Sequence, residues 1–372
     1  MKLSRILSKA ENLYDITKPV LSITKNEGLI LQTDRFKKQI ASVDKSKYKV
    51  VRHNQLVLSI HLDEGVLAVL NKEMPEGIVS PAYKIYNINN ELVDNDYLVL
   101  LLKSESSVTK FKIKANSSVA GRCNVSEKDL LNFEFNIPPL NIQKTIVANI
   151  NNLKNKIKYF EILNSKYDEI IKSQFIEMFG NKEFEMQPLS LCCDFIDYRG
   201  KTPEKSDSGF RLFTAKNVRM HKLNFEPEEF IPIENYEKVM TRGIPKSGTL
   251  LFTTEAPLGN ICRIPEMDEK FCLGQRILNI IPKEYLNAIF LEYEMTSEQF
   301  NDEMLFKSSG TTVTGIRVKE LVKIKVRIPN IQLQNKFADF VQQIDKSKFI
   351  VQKQIKLLEE LLEKKMNEYF GN

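Results

Sequence analysis

The sequence predicts an α+β protein in which two mixed α/β globules alternate with two long helices as a pseudo-twofold tandem repeat. A stretch near the middle of the chain recurs near its end, and both copies carry an apolar stripe at helical spacing. The intervening segments hold short β-rich runs separated by Gly, Pro and Asn. The predicted segments are a globule over 1–136, a helix over 137–181, a globule over 182–327 and a helix over 328–372.

The repeat is visible as matching segments at a constant offset of 191 residues. IPPLNIQ begins at Ile137 and IPNIQLQ at Ile328, while FGN ends at Asn181 and again at Asn372. The register holds without a gap over 45 residues, although few identities survive. A constant length with drifting residues indicates that the length and apolar face of a helix matter here more than its chemistry.

Both repeated stretches read as long amphipathic helices, because apolar residues recur at steps of three and four. After Pro139 in the first stretch and Pro329 in the second, neither contains Pro or Gly until the closing Gly180 or Gly371, which suit the position just after a helix. Because a long isolated rod must bury its stripe, we expect the two helices to pair as an antiparallel coiled coil. The predicted partner-helix interface comprises Ile146, Ile150, Leu153, Ile157, Phe337, Val341, Ile344, Leu358 and Leu361.

The globules are expected to be β-rich, with runs such as QLVLSI in the first and TLLFTT and RILNIIP in the second. LLNFEFNIP, from Leu130 to Pro138, matches LVKIKVRIP, from Leu321 to Pro329, and both alternate apolar and polar residues. This pattern predicts a strand that runs into a helix initiated near a proline.

Composition excludes several classes of protein. No stretch of the 372 residues approaches the roughly 18–20 apolar residues of a membrane span, and no secretory signal is visible, so we expect a cytoplasmic protein without membrane contact. The cysteines form no C-x-x-C pair and have no histidine at metal-ligand spacing, which predicts buried thiols and no metal site. They are Cys123, Cys192, Cys193, Cys262 and Cys272.

No catalytic constellation is apparent. G-x-G does not occur, and GIPKSG over 243–248 is followed by Thr249 and Leu250 where a phosphate loop needs Lys and Ser or Thr. Asp268 and Lys270 lack an upstream acid at nuclease spacing, and no G-x-S-x-G is present. The sequence therefore predicts a binding module with no catalytic residue and no cofactor of its own.

Positive charge is clustered at similar places in the two halves. Seven Lys and Arg lie between Arg35 and Arg52 against one acid, and seven lie between Arg199 and Lys222 against two acids. Such clusters contact DNA phosphates in many proteins, although either one alone is equally compatible with a solvated face. The candidate phosphate-binding residues are Lys37, Lys38, Lys45, Lys47, Lys49, Arg52, Arg199, Lys201, Lys216 and Arg219.

The chain resembles the DNA-specificity (S) subunits of type I restriction-modification systems in the order of several short sequence motifs and in the two repeated helices. In the first globule these motifs are SKYKVV, DEG and GIVSPAY. In the second globule they are YRGKTP, LFTAKNVR, LLFTTEAPLGN and GQRI. The globules are similar to the target-recognition domains of that family, and the tails to its conserved helical regions.

The resemblance implies that each globule reads one half of a split, asymmetric site in double-stranded DNA while the helices fix the gap. A methyltransferase subunit, in two copies, would dock on the helices, and a restriction and translocation subunit would join them. Side chains suited to base edges or phosphates are expected to lie in the second globule. These candidates are Thr214, Asn217, Thr253, Thr254, Gln275 and Arg276.

Two other interpretations remain open from the sequence. The chain could be the non-catalytic recognition fragment of a fused restriction-methylation enzyme, or a scaffold protein with coiled-coil arms. A scaffold would show no salt-dependent affinity for DNA. A specificity subunit would show methylation or cleavage only after its partner subunits are added.

Overall fold

The computed structural model describes most of the chain and divides it into two compact units. One consists of Met1–Ile162 with Gln352–Asn372, and the other is Leu163–Val351. Each unit therefore contains one globule and a part of both long helices. The described residues are 1–35, 44–114, 125–180, 182–198, 203–310 and 314–371.

The first globule is built on a four-stranded antiparallel sheet of order β1-β8-β5-β6, with a β2–β3 hairpin and a β4–β7 pair beside it. Its strands are β1 Leu7–Lys9, β2 Leu21–Thr24, β3 Gly28–Leu31, β4 Lys49–Val51, β5 Gln55–Leu58, β6 Leu67–Val69, β7 Gly77–Val79 and β8 Lys84–Ile88. Its helices, together with the first long helix, are α1 Gln32–Arg35, α2 Asn95–Lys103, α3 Glu105–Lys114, α4 Glu127–Asn132 and α5 Leu140–Phe175. Short 3-10 turns cover Leu3–Arg5 and Leu62–Glu64.

The second globule contains a four-stranded antiparallel sheet of order β10-β18-β15-β16 and a three-stranded sheet of order β14-β11-β17. Its strands are β9 Met186–Pro188, β10 Cys193–Asp197, β11 Phe210–Phe213, β12 Val218–Arg219, β13 Lys222–Leu223, β14 Phe230–Ile231, β15 Leu250–Thr253, β16 Ile261–Arg263, β17 Phe271–Leu273, β18 Ile277–Pro282 and β19 Lys325–Arg327. Its helices and the second long helix are α6 Leu189–Cys192, α7 Tyr236–Val239, α8 Ala288–Glu294, α9 Glu298–Lys307, α10 Val318–Leu321 and α11 Ile331–Phe370. A 3-10 turn covers Ile233–Asn235.

The two main sheets share one topology, so the repeat extends beyond the helices into the globules. In each sheet the first strand pairs with the last, and the last pairs with the strand that begins a hairpin. The N-terminal segment of each globule is also hydrogen-bonded in the same way to the segment that precedes the long helix. The Leu3 amide donates to the Phe133 carbonyl at 2.9 Å, and the Leu189 amide donates to the Ile324 carbonyl at 3.0 Å.

A buried glutamine near the start of each long helix joins that helix to its globule. The Gln143 side chain accepts from the Asp94 amide at 2.8 Å and donates to the Leu92 and Pro138 carbonyls at 3.0 and 2.7 Å. This arrangement satisfies backbone groups that would otherwise be buried without a partner.

Gln334, the counterpart of Gln143 in the repeat, makes the same three hydrogen bonds. It accepts from the Asn287 amide at 2.8 Å and donates to the Tyr285 and Pro329 carbonyls at 3.2 and 2.7 Å. Both glutamines are fully buried, and both accept from the N-cap residue of a globule helix, α2 or α8. The glutamine of the repeated IP motif therefore sets the same helix–globule junction twice.

The long helices run antiparallel, as the sequence predicts. Within the second unit, Phe175 of α5 contacts Phe337 of α11 with ring centroids 5.3 Å apart, and Asp168 pairs with Lys348. Residue numbers therefore fall along α5 as they rise along the facing part of α11. Within the first unit, the Asn149 amide of α5 donates to the Tyr369 hydroxyl of α11 at 3.3 Å.

The predicted interface residues divide into buried, half-buried and exposed groups. Ile146 and Ile150 are buried in the core of the first globule, and Phe337 and Val341 in that of the second. The half-buried residues are Leu153, Ile157, Ile344 and Leu358.

Leu361 departs from this pattern because 41% of its surface is exposed. Its neighbour Leu362 packs on the first core instead. The stripe on α11 is therefore offset by one residue at this point. Because adjacent helix positions differ by about 100° in direction, a shift of one residue moves a side chain off the packed face.

The first long helix ends differently from the sequence expectation. A turn of π-helix over Ile176–Gly180 follows Phe175, so Gly180 belongs to the final turn and does not lie beyond it. Arg327 satisfies one of the free carbonyls at this helix end, donating from Nη1 to the Phe179 oxygen at 2.7 Å. Among the residues described, no helix is long and apolar enough to cross a membrane.

Candidate nucleic-acid interface

The predicted basic residues of the first globule lie on and beside β4. Lys47 and Arg52 are exposed, and Lys45 is half-buried. Lys49 is less available, because its amine donates to the Tyr83 carbonyl at 2.8 Å. Burial lowers the pKa of Lys49, and the charges of Lys9 and Lys84 lower it further. Lys37 and Lys38 lie outside the described residues.

In the second globule the β12–β13 hairpin presents exposed cations. Arg219 and Lys222 are opposite each other in its register, and both are exposed. Met220 lies in the two-residue turn between them with 47% of its surface exposed. His221 completes the turn in the left-handed region, at φ 58°. A short ribbon with two cations at its end can contact the backbone of a duplex.

Lys216 lies in the loop that leads into this hairpin and is exposed. Its amine is 3.6 Å from a Glu229 oxygen, while Lys205 lies 2.8 Å from the other oxygen of the same carboxylate. A long ion pair at an exposed amine contributes little, so Lys216 can exchange it for a phosphate. Arg199 and Lys201, the remaining basic candidates of this globule, lie outside the described residues.

The structure gives Thr214, Asn217, Thr253 and Thr254 internal hydrogen bonds, and the Thr214 hydroxyl donates to the Asn217 side-chain oxygen at 3.1 Å. Asn217 is buried, accepts from the Thr214 amide at 2.9 Å and donates to the Asn224 and Pro227 carbonyls, both at 3.1 Å. Thr253 and Thr254 are also buried, with their hydroxyls 3.4 Å from the Asn260 and Arg276 carbonyls. These side chains shape the loops around them, and their contact with DNA stays a prediction.

Arg276 is the most accessible of the remaining candidates in the second globule. Its guanidinium is 52% exposed and lies 2.8 Å from a Glu255 carboxylate oxygen. Arg276 adopts φ 69° and the nearby Ala256 φ 47°, a region that residues other than glycine seldom occupy. Gln275 and Thr214 are half-buried. Strained backbone of this kind occurs often at ligand-binding sites, which keeps Arg276 a candidate for DNA contact.

Sequence reasoning missed Glu255 and Met220 at this surface. Glu255 faces Arg276, and Met220 lies between the two hairpin cations. Neither residue type is a common phosphate ligand, so charge clustering gave no signal for them. Among the residues described, no group of His, Cys, Asp and Glu side chains is placed to hold a metal ion.

The fold and this surface define a class of protein: two related globules, each joined to a long paired helix and each presenting cations on its loops. The family model for the type I restriction modification DNA specificity domain matches residues 2–170 and 194–360. The chain belongs to this family, and each match covers one globule and much of the helix that follows it. It is a DNA-specificity component of the type I restriction-modification class.

A curated relative agrees with this assignment. The type I restriction enzyme MjaVIII specificity subunit of Methanocaldococcus jannaschii is 27% identical over 315 residues, which cover 78% of this chain and 73% of the relative.

Two solved structures show the same fold. A chain from a type I restriction-modification system, solved in work on complex assembly and conformational transition, has a TM-score of 0.60 at 16% identity. That comparison covers 100% of this chain and 96% of the other. The S subunit from M. genitalium has a TM-score of 0.54 at 14% identity and covers 98% and 95%.

Proposed function

We propose that this chain reads a split and asymmetric DNA site, one half with each globule. The observation that carries the proposal is that the globules share one sheet topology and one junction to the long helices, yet differ in the loops they expose. Equivalent scaffolds can engage both halves of a duplex, whose backbone is itself twofold symmetric. Different loops allow the two half-sites to differ in sequence.

The chain itself performs no catalysis in this proposal. Two copies of a methyltransferase subunit supply the S-adenosylmethionine chemistry, and a restriction and translocation subunit joins the complex. Sequencing methylated adenines in genomic DNA from the source cell tests the whole scheme. A bipartite motif with a constant gap is expected, and a continuous motif would contradict it.

The exposed cations of the second globule provide a direct test of DNA contact. Replacing Lys216 and Arg219 together with alanine should weaken DNA binding by the assembled complex. Because each lost phosphate contact releases about 0.9 fewer counterions, the slope of log K against log salt should fall by up to about 1.8. A salt titration of binding measures both effects.

The matched control removes the same charge elsewhere, with Lys353→Ala and Lys364→Ala at exposed positions on α11. The control should keep the wild-type salt slope. An unchanged slope for the Lys216 and Arg219 variant would exclude these two residues as phosphate ligands.

The half-buried stripe of the long helices provides a test of assembly. We expect Ile157→Asp or Leu358→Asp to leave both globules folded and to prevent assembly with the methyltransferase. A carboxylate buried on an apolar stripe without a partner costs several kcal/mol, roughly. Analytical size exclusion with the methyltransferase measures the stoichiometry, and circular dichroism checks the fold. Lys158→Asp, at the exposed neighbouring position, is the control and should assemble normally.

A further inference from the structure

The β12–β13 hairpin closes a space between the second globule and α11. His221 at its tip lies with Nδ1 2.9 Å from a Glu292 oxygen, and its ring stacks on Tyr293 at 4.4 Å. Arg263 bridges Glu292, at 2.6 Å, and Asp345 of α11, at 2.8 Å. Charged groups of the chain itself therefore fill the junction between globule and helix in this half.

The repeat identifies the corresponding positions in the first half. Val69 pairs with Leu56 as Arg263 pairs with Leu250, which makes Val69 the counterpart of Arg263. Counting from the N-caps of α2 and α8, Val99 corresponds to Glu292 and Leu100 to Tyr293. The 191-residue offset makes Lys154 the counterpart of Asp345.

All four counterparts line an open cleft of about 560 Å³. The tip of the β2–β3 hairpin, which lies beside β6 as the β12–β13 hairpin lies beside β16, contributes Asn26 and Glu27 to the same cleft. The space that the second half fills with its own side chains is thus empty in the first half. In the first half, Val69 stands in place of Arg263, Val99 in place of Glu292, and Lys154 in place of Asp345.

Three lysines line the cleft, Lys72, Lys103 and Lys154, and the last two lie on α2 and α5. Lys103 donates to the Lys25 carbonyl at 2.8 Å, and neither Lys103 nor Lys154 has an ion pair within the described part of the chain. Desolvation lowers the pKa of Lys103, and the charge of Lys154 lowers it further. An anion placed near both amines would relieve this repulsion.

The carboxylates of the cleft do not fill that role. Asp94 accepts the Asp96 and Tyr97 amides at the start of α2, both at 3.0 Å. Burial raises the pKa of Asp96, and the charge of Asp94 raises it further. Glu27 and Lys72 also line the cleft, so an anion that enters it can reach more than one amine.

We infer that this cleft binds an acidic segment of a partner protein, with a carboxylate beside Lys103 and Lys154. A protein carboxylate is favoured because Asp345 and Glu292 supply that group at the matching junction of the second half. The inference rests on the proposed function in one respect, since the partner is taken to be the methyltransferase subunit. A partner thereby supplies to the first half the carboxylate that the second half supplies from its own chain.

The test compares two charge-reversal pairs on the full chain. Lys103→Glu with Lys154→Glu should weaken binding of the methyltransferase at least tenfold, as measured by surface plasmon resonance. Lys156→Glu with Lys158→Glu, at exposed positions of α5 outside the cleft, should leave the affinity unchanged. Lys103→Gln with Lys154→Gln, which introduces no repulsion into the fold, should show a smaller loss in the same direction.

Three results would overturn the inference. Wild-type affinity of a folded cleft variant would exclude the cleft as the docking site. Stabilisation of the wild type by inorganic phosphate, lost in the cleft variant, would assign the cleft to a small anion instead. A wild-type chain that does not bind the methyltransferase at all would overturn the proposed function as well, whereas the first two results leave it intact.

Discussion

Replacing Arg327 with asparagine should destabilise the second unit by about 3–5 kcal/mol, because it leaves the buried Glu294 carboxylate without its cationic partner. Glu294 is 2% exposed and Arg327 8% exposed. Arg327 donates from Nε and Nη2 to Glu294 at 2.8 and 2.6 Å, and its guanidinium lies over the Phe175 ring at 5.3 Å. The loss also removes the hydrogen bond to the Phe179 carbonyl at the end of α5. Urea unfolding followed by circular dichroism measures the change.

The first half of the chain supplies the matched control. Its residues at the positions of Arg327 and Glu294 are Asn136 and Leu101, an uncharged pair. The double variant Arg327→Asn with Glu294→Leu copies this pair and should recover part of the lost stability, since a buried ion pair often contributes little over an apolar replacement. Recovery is incomplete because Glu294 also accepts the backbone amide of residue 327 at 3.0 Å. A single variant as stable as the wild type, or a double variant less stable than the single one, would contradict this account.

The long helices could be predicted in detail because their pattern depends on local spacing. The ungapped repeat and the apolar period predicted two long helices, which the structure shows as α5 over Leu140–Phe175 and α11 over Ile331–Phe370. The role of Gln143 and Gln334 could not be predicted, although both lie in the repeated motif. Their partners, the carbonyl groups of Leu92 and Tyr285, lie about 50 residues away, in segments of the two globules that no longer share a recognisable sequence.

The candidate site could be predicted only in part, and the reason is the double role of small polar residues. Asn217, Thr253 and Thr254 stand in segments rich in turn residues, where the same side chain can face solvent or cap a backbone group. Sequence alone does not separate these roles. The burial of Glu292 and Glu294 could not be predicted either, because acidic residues are seldom fully buried. The groups that bind them are distant in the sequence: Arg263, which also pairs with Asp345, binds Glu292, and Arg327 binds Glu294.

The long helices should act as a ruler for the gap between the half-sites. Helix α5 passes from the first unit to the second at Leu163, so an insertion there lengthens the segment that joins them. Seven residues add about 10.5 Å and nearly preserve the apolar face, because two turns take 7.2 residues. At about 3.4 Å per base pair this corresponds to three base pairs. We expect a gap longer by about one to three base pairs, with both half-site sequences unchanged.

A paired insertion distinguishes an effect of helix length on the gap from an effect of strain between helices of unequal length. The second helix runs antiparallel, so inserting seven residues only after Leu163 leaves α11 too short to match. A second insertion of seven residues after Gln354, the counterpart of Leu163 in the repeat, restores the pairing and should bring the shift close to the full three base pairs. The DNA between the half-sites then gains about three tenths of a turn, which the globules must follow around the groove. Methylated motifs sequenced from cells that carry each variant with its partner subunits give the readout. New half-site bases at an unchanged gap would place specificity in the helices and refute the ruler.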